Sequence, residues 1–149
     1  MNKMKNKKGF TLLELLIVLI ILSLLATFIL PKFISRPEEA KRVKAKAQIQ
    51  MLEQSLHLYK LDNGSFPTTE QSLKALIEKP TVGAETPKWR EGGYLEKLML
   101  PKDPWGNEYV YVSPGVHNPD FDLESYGKDG EDGGEKDDAD IENWNPEAP

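Results

Sequence analysis

The sequence contains no cysteine in 149 residues. A disulfide framework and a thiolate-ligated metal site are therefore excluded, though nothing follows about compartment. Histidine is scarce: His57 and His117 stand far apart and leave no imidazole cluster for zinc. No glycine-rich phosphate loop opens a helix, and no nucleophile–base arrangement is visible. Basic residues are few where a nucleic-acid surface would need them. From Asp120 to Pro149 there are twelve Asp and Glu against two Lys, which argues against binding a polyanion there. A run of acids at a chain end is otherwise a solvated tail.

What is present is unevenly spread. Lys3, Lys5, Lys7 and Lys8 make the start basic within a formal net charge of −5. Residues 12–30 then form a single long apolar run. About twenty residues suits a helix crossing roughly 30 Å of hydrocarbon and exceeds the apolar core of a signal peptide. No small-x-small cleavage site follows; the chain continues LPKFISRPEEAKR. Lysines before the run predict a cytoplasmic start and an exported remainder. Glu14 lies inside the run, where a charge in lipid costs roughly 2.5 kcal/mol or more. Such a carboxylate needs a partner.

KGFTLLE, residues 8–14, resembles the processing signal of the type IV pilin superfamily. The resemblance implies that a prepilin peptidase cuts between Gly9 and Phe10 and methylates the new amine of Phe10, making Glu14 the fifth mature residue. Cleavage would remove four lysines and take the formal charge from −5 to −9. The freed amine of one subunit is then a counter-ion for Glu14 of a neighbour. Pairing within the chain is the competing reading.

Pro31 and Pro37 predict a bend or local melting in the helix, and Ser35–Glu39 reads as a helix restart with Pro and acids in a first turn. From Glu38 to about Leu61, the residues Ile49, Leu52, Leu56 and Tyr59 share one face. That stripe predicts packing against a small globular domain. A continuous helix over residues 10–61 would be on the order of 78 Å long. A domain of this size covers only the second half, leaving the first for lipid or other subunits.

Asn63-Gly64 suits a helix C-cap. Thr68 or Thr69 can cap a short helix over TEQSLKALIEK, residues 69–79. Strands are predicted at 108–113, 121–127 and 141–144, forming a small antiparallel sheet laid on the helix. Trp89, Trp105 and Trp144 read as core or loop anchors. The fold class is α+β: a long N-terminal helix, its first half transmembrane, packed against a three-stranded sheet. The expected divisions are a leader at 1–9, a transmembrane assembly helix at 10–31, its amphipathic continuation at 32–62, and a periplasmic region at 63–149.

YKLDNGSFPTTEQSLKAL, DPWGNEY, SPG and DGEDGGEKDDADIENW extend the resemblance to the major pseudopilins of bacterial type II secretion systems. It implies a non-enzymatic subunit of the bacterial inner membrane, single-pass, with its C-terminal domain in the periplasm. Such subunits polymerise into a helical homopolymer that drives export, working with minor pseudopilins and an inner-membrane assembly platform. A type IV pilin or a minor pseudopilin is the alternative. Glu53 and Lys97 are candidates for salt bridges between subunits.

The loop YGKDGEDGGEKDDAD, residues 126–140, packs acids so closely that they repel without a cation among them. Carboxylates and carbonyls on a glycine-rich backbone suit Ca2+, which takes six to eight oxygens. The loop is not an EF-hand, because Gly133 stands where a third ligand belongs and no Glu closes it on a helix. From the residues alone, a solvated loop stays open beside calcium. The family resemblance implies calcium, with Asp129 and Asp140 as side-chain ligands, backbone oxygens from Tyr126 and from Gly133 or nearby Glu131, and Asp138 or Asp137 in a variable stretch. Glu14 lies in the membrane segment, and Asp129 and Asp140 lie in a glycine-rich loop, so they do not form an acid/base pair.

Overall fold

The computed structural model describes residues 10–145, and for 26–36 the backbone alone. Gly9 and the leader lysines lie outside the described residues. The chain divides into two compact units, Met1–Pro37 and Glu38–Pro149. Helix α1, Leu12–Asn63, contributes to both and is assigned as helix without a break through Pro31 and Pro37. The restart expected at Ser35–Glu39 is therefore not a separate element. Neither proline ends the helix.

In the first unit, Thr11 starts α1. Its backbone N–H and hydroxyl both donate to Glu14 Oε2, at 2.8 and 3.0 Å. The Glu14 N–H returns a bond to Thr11 Oγ1 at 3.2 Å. This is a capping box, in which T-x-x-E satisfies two orphan donors of a helix start reciprocally. Beyond it the described apolar side chains, from Leu12 to Leu25, are all exposed. Among the described residues no helix is long and apolar enough to cross a membrane; the side chains described in this segment end at Leu25, short of the length of the apolar run.

In the second unit, Ala45, Ile49, Leu52, Leu56 and Tyr59 form the buried stripe of α1. The 3.6-residue period aligns them, and burial of this face holds the helix more firmly than propensity does. Gly64 ends α1 at φ +87°, its N–H reaching Lys60 O at 2.7 Å. Glycine enters that left-handed region without a Cβ penalty.

Thr68 and Gln71 then bond reciprocally, backbone to side chain, at 2.9 and 3.3 Å. The α-helix expected over 69–79 does not form. A turn gives way to a 3-10 helix, Leu73–Leu76, capped by Ser72 at φ +54°. The Gln71 amide donates to Val82 O and Ala84 O instead, at 2.9 and 3.1 Å. Tertiary bonds and the positive φ at Ser72 override helical periodicity here.

Three strands make one antiparallel sheet in the order β1-β2-β3: Val110–Val112, Asp122–Ser125 and Ile141–Glu142. Tyr111 pairs with Leu123, and Ser125 with Ile141. All three strands are shorter than the periods predicted. Leu123, Tyr111, Phe121 and Ile141 join the stripe of α1 in one core. The tryptophans anchor loops. Trp89 Nε1 donates to Ala75 O at 2.8 Å, Trp105 Nε1 to Glu38 Oε2 at 2.9 Å, and Trp144 stacks on His117.

Candidate metal centre

The acidic loop leaves β2 at Ser125 and returns to β3 at Ile141, so the register of two adjacent strands sets its mouth. Inside it, the 3-10 helix Lys136–Asp138 reverses the chain. Gly134, at φ +91°, lies so close to this turn that a Cβ would collide with Asp138 O. Only glycine allows that approach.

The geometry brings three carboxylates together. One oxygen each of Glu124, Asp132 and Asp140 lie within 4.8 Å of one another. Asp140 is 8% exposed. Its Oδ2 accepts the Gly133 N–H at 2.8 Å, while its Oδ1 is buried and has no hydrogen-bond partner. An unsatisfied buried acceptor normally costs about 1–3 kcal/mol, more when charged. Native folds seldom keep one unless an ion or water meets it.

The electrostatics agree. Burial, then the charges of Asp140, Asp132, Glu142 and Asp122, push the Glu124 carboxyl up to about 7. Burial pushes Asp140 up; the Gly133 N–H opposes this, Asp132 and Asp129 reinforce it, and Arg42 draws it back. Burial also raises the Tyr126 phenol, with Glu124, Asp132 and Asp140 adding to it. Each of these groups resists becoming or staying an anion, and a divalent cation among them reverses the balance. The donors are all hard oxygens, which fits Ca2+ or a similar cation and excludes a soft-metal preference.

The residues predicted from the sequence are only partly gathered here. Asp140 is central. Asp129 is exposed and caps the Glu131 N–H at 3.2 Å, standing outside the three-carboxylate group yet close enough to act on Asp140. Gly133 contributes its N–H to Asp140. Asp138 lies in the reversing turn, with Tyr126 at the loop's opposite edge. Sequence reasoning missed Glu124 and Asp132. Glu124 was hidden in a strand, and its pairing with Glu142 across β2 and β3 is the signal that marks it. At the other expected site, Glu14 is held by Thr11 of its own chain, and Phe10 is exposed. Glu53 Oε1 accepts from Asn143 Nδ2 within the chain at 3.2 Å.

A family model described as "Type II secretion system (T2SS), protein G" matches residues 32–144, and one for the "Prokaryotic N-terminal methylation motif" matches residues 4–30. This chain belongs to the protein G family of the type II secretion system. The core protein G of Vibrio cholerae serotype O1 is 49% identical over 97% of this chain and 97% of its own length. That of Pseudomonas aeruginosa is 47% identical over 94% and 96%. A solved major pseudopilin from the type 2 secretion system of enterohaemorrhagic Escherichia coli superposes with a TM-score of 0.64. It is 40% identical to this chain, covering 74% of it and 92% of its own length. As a member of that family, this chain is a structural subunit of the pseudopilus in protein secretion, with the long helix and three-stranded sheet of that neighbour.

Proposed function

We propose that the chain is anchored by its N-terminal helix in the bacterial inner membrane, as a single pass, with the globular unit in the periplasm. There it polymerises with copies of itself into a helical pseudopilus. Prepilin peptidase cuts between Gly9 and Phe10 and methylates the Phe10 amine. The inner-membrane platform assembles the filament, and minor pseudopilins join it. The subunit needs no active site, because its work is mechanical.

One observation carries this reading: every described apolar side chain from Leu12 to Leu25 is bare in the single chain. Water cannot be the environment of such a face. Lipid covers it before assembly and neighbouring helices cover it after. Glu14 then exchanges part of its capping interaction with Thr11 for the amine of a neighbour's Phe10. In an apolar bundle this charge pair favours one register over others.

Calcium at the acidic loop completes the reading. Asp140 offers its orphan Oδ1, with Glu124 and Asp132 converging beside it. By resemblance, Asp129, the backbone oxygens of Tyr126 and Gly133, and Asp138 are the further ligands. When bound, the ion neutralises the clustered carboxylates and ties the loop shut. In a unit with no disulfide, that clip takes the place of a covalent staple.

Mass analysis of the purified membrane form tests the processing step. The expected product begins at Phe10 and carries one extra methyl group. An uncut chain in the filament would reject this account of assembly.

A further inference from the structure

The two arms of the acidic loop are held in different ways. On the β2 side the Asn107 amide donates to Gly127 O at 3.2 Å, and Ser125 Oγ donates to Asp103 Oδ2 at 2.7 Å. Asp103 in turn gathers the N–H groups of Trp105 and Asn107, at 3.0 and 2.8 Å. This arm belongs to the sheet and its neighbouring turn. The other arm reaches back to helix α1, where Arg42 Nη1 donates to Ala139 O, the carbonyl immediately before Asp140. Arg42 is 7% exposed. A guanidinium is buried at considerable desolvation cost and persists where good geometry returns it.

We propose that Arg42 is the positioning residue of the cation site, and that it couples occupancy of the loop to the first turns of α1 in the globular unit. The proposal rests on the calcium reading above. By fixing the Ala139 carbonyl, Arg42 fixes where the Asp140 backbone sits and so where the orphan Oδ1 points. Its positive charge also repels an incoming cation, and the two effects oppose each other. Arg42 meets the loop through the Ala139 carbonyl, and in this proposal that positioning outweighs the repulsion. Coupling is reciprocal: what Arg42 contributes to calcium affinity, calcium returns as order in the helix that carries Arg42.

The test uses the full chain in detergent, titrated with CaCl2 by calorimetry and followed by amide hydrogen exchange. Outer-shell partners typically set metal affinity by about 10–100-fold, so Arg42→Gln is expected to weaken calcium binding about ten-fold. Arg42→Lys, which keeps a donor and the charge, falls between the two. In the wild type, calcium slows exchange at residues 38–45, and in Arg42→Gln that slowing is lost. A purely structural role would lower thermal stability equally with and without calcium and leave affinity alone. Unchanged or tighter binding in Arg42→Gln overturns the proposal. So does wild-type calcium binding with no effect on residues 38–45, a measurement that needs no variant. A wild type that binds no calcium removes the calcium reading itself, a distinct result.

Discussion

Two carboxylates, Glu14 and Asp140, are placed in opposite circumstances. Glu14 is exposed and held by its own chain, its Oε2 accepting two bonds from Thr11, yet the apolar side chains described around it are bare. Asp140 is buried beside a complete core, yet one of its oxygens has no partner. The first region holds its carboxylate by its own chain and, among the described side chains, lacks apolar cover. The second is covered and lacks a counter-charge. Each deficit names what completes it: other helices for the first, a cation for the second.

The comparison is broken most severely at Glu14. Glu14→Leu removes one half of a capping box, an effect of at most about 1–2 kcal/mol on the helix start. Filament yield and secretion are nevertheless expected to collapse, while the calcium response of the globular unit is unchanged. Next is Asp140→Asn. Saturating calcium at about 100 times Kd stabilises a fold by about 2.7 kcal/mol, a Tm rise on the order of ten degrees for a unit of this size. The variant should lose that rise entirely in thermal melts, with metal-free stability equal or higher because one repelling charge is gone. A retained calcium shift would move the site elsewhere in the loop.

Gly134→Ala puts a Cβ against Asp138 O in a left-handed backbone. A cost of about 1–3 kcal/mol is expected, read as a lower Tm both with and without metal. The smallest effect is in pH. Glu124 is pushed from an ordinary 4.5 up to about 7, so the folded state binds its proton more tightly than the unfolded chain does. Metal-free stability therefore falls as pH rises between these two values and levels off above the upper one. In chelator, the Tm should be higher at about pH 6 than at about pH 8. With calcium the order reverses, because protons compete for the carboxylates. A flat metal-free profile would mean that Glu124 is neither buried as described nor faced by the other acids.

The long helix was legible in the sequence because its signal is local. A period of 3.6 residues places Ile49, Leu52, Leu56 and Tyr59 on one face whatever the rest of the chain does. The strands were legible in place and in their antiparallel sense, less so in length, since their ends are decided by loops. The 3-10 helix at Leu73–Leu76 was not legible, because Gln71 is claimed by the carbonyls of Val82 and Ala84 from a distant loop. The family resemblance singled out Asp140 in the acidic run, but not its companions Glu124 and Asp132. Which carboxylates meet depends on strand register and on the reversal at Lys136–Asp138, and neither is written in spacing. The capping box was present as T-x-x-E in residues 11–14, but a glutamate in an apolar run signals assembly more strongly than it signals a helix start.

On assembly, Glu14 changes partners from Thr11 of its own chain to the Phe10 amine of a neighbour. Filaments can be grown from equal parts of two subunit pools, one carrying 15N and the other 13C. Solid-state dipolar transfer from the Phe10 amine nitrogen to the Glu14 carboxyl carbon then reports only contacts between chains. A strong cross-peak in the mixed filament is the expected result. Its absence there, with the same peak present in doubly labelled subunits diluted among unlabelled ones, would place the pair within one chain and contradict the account.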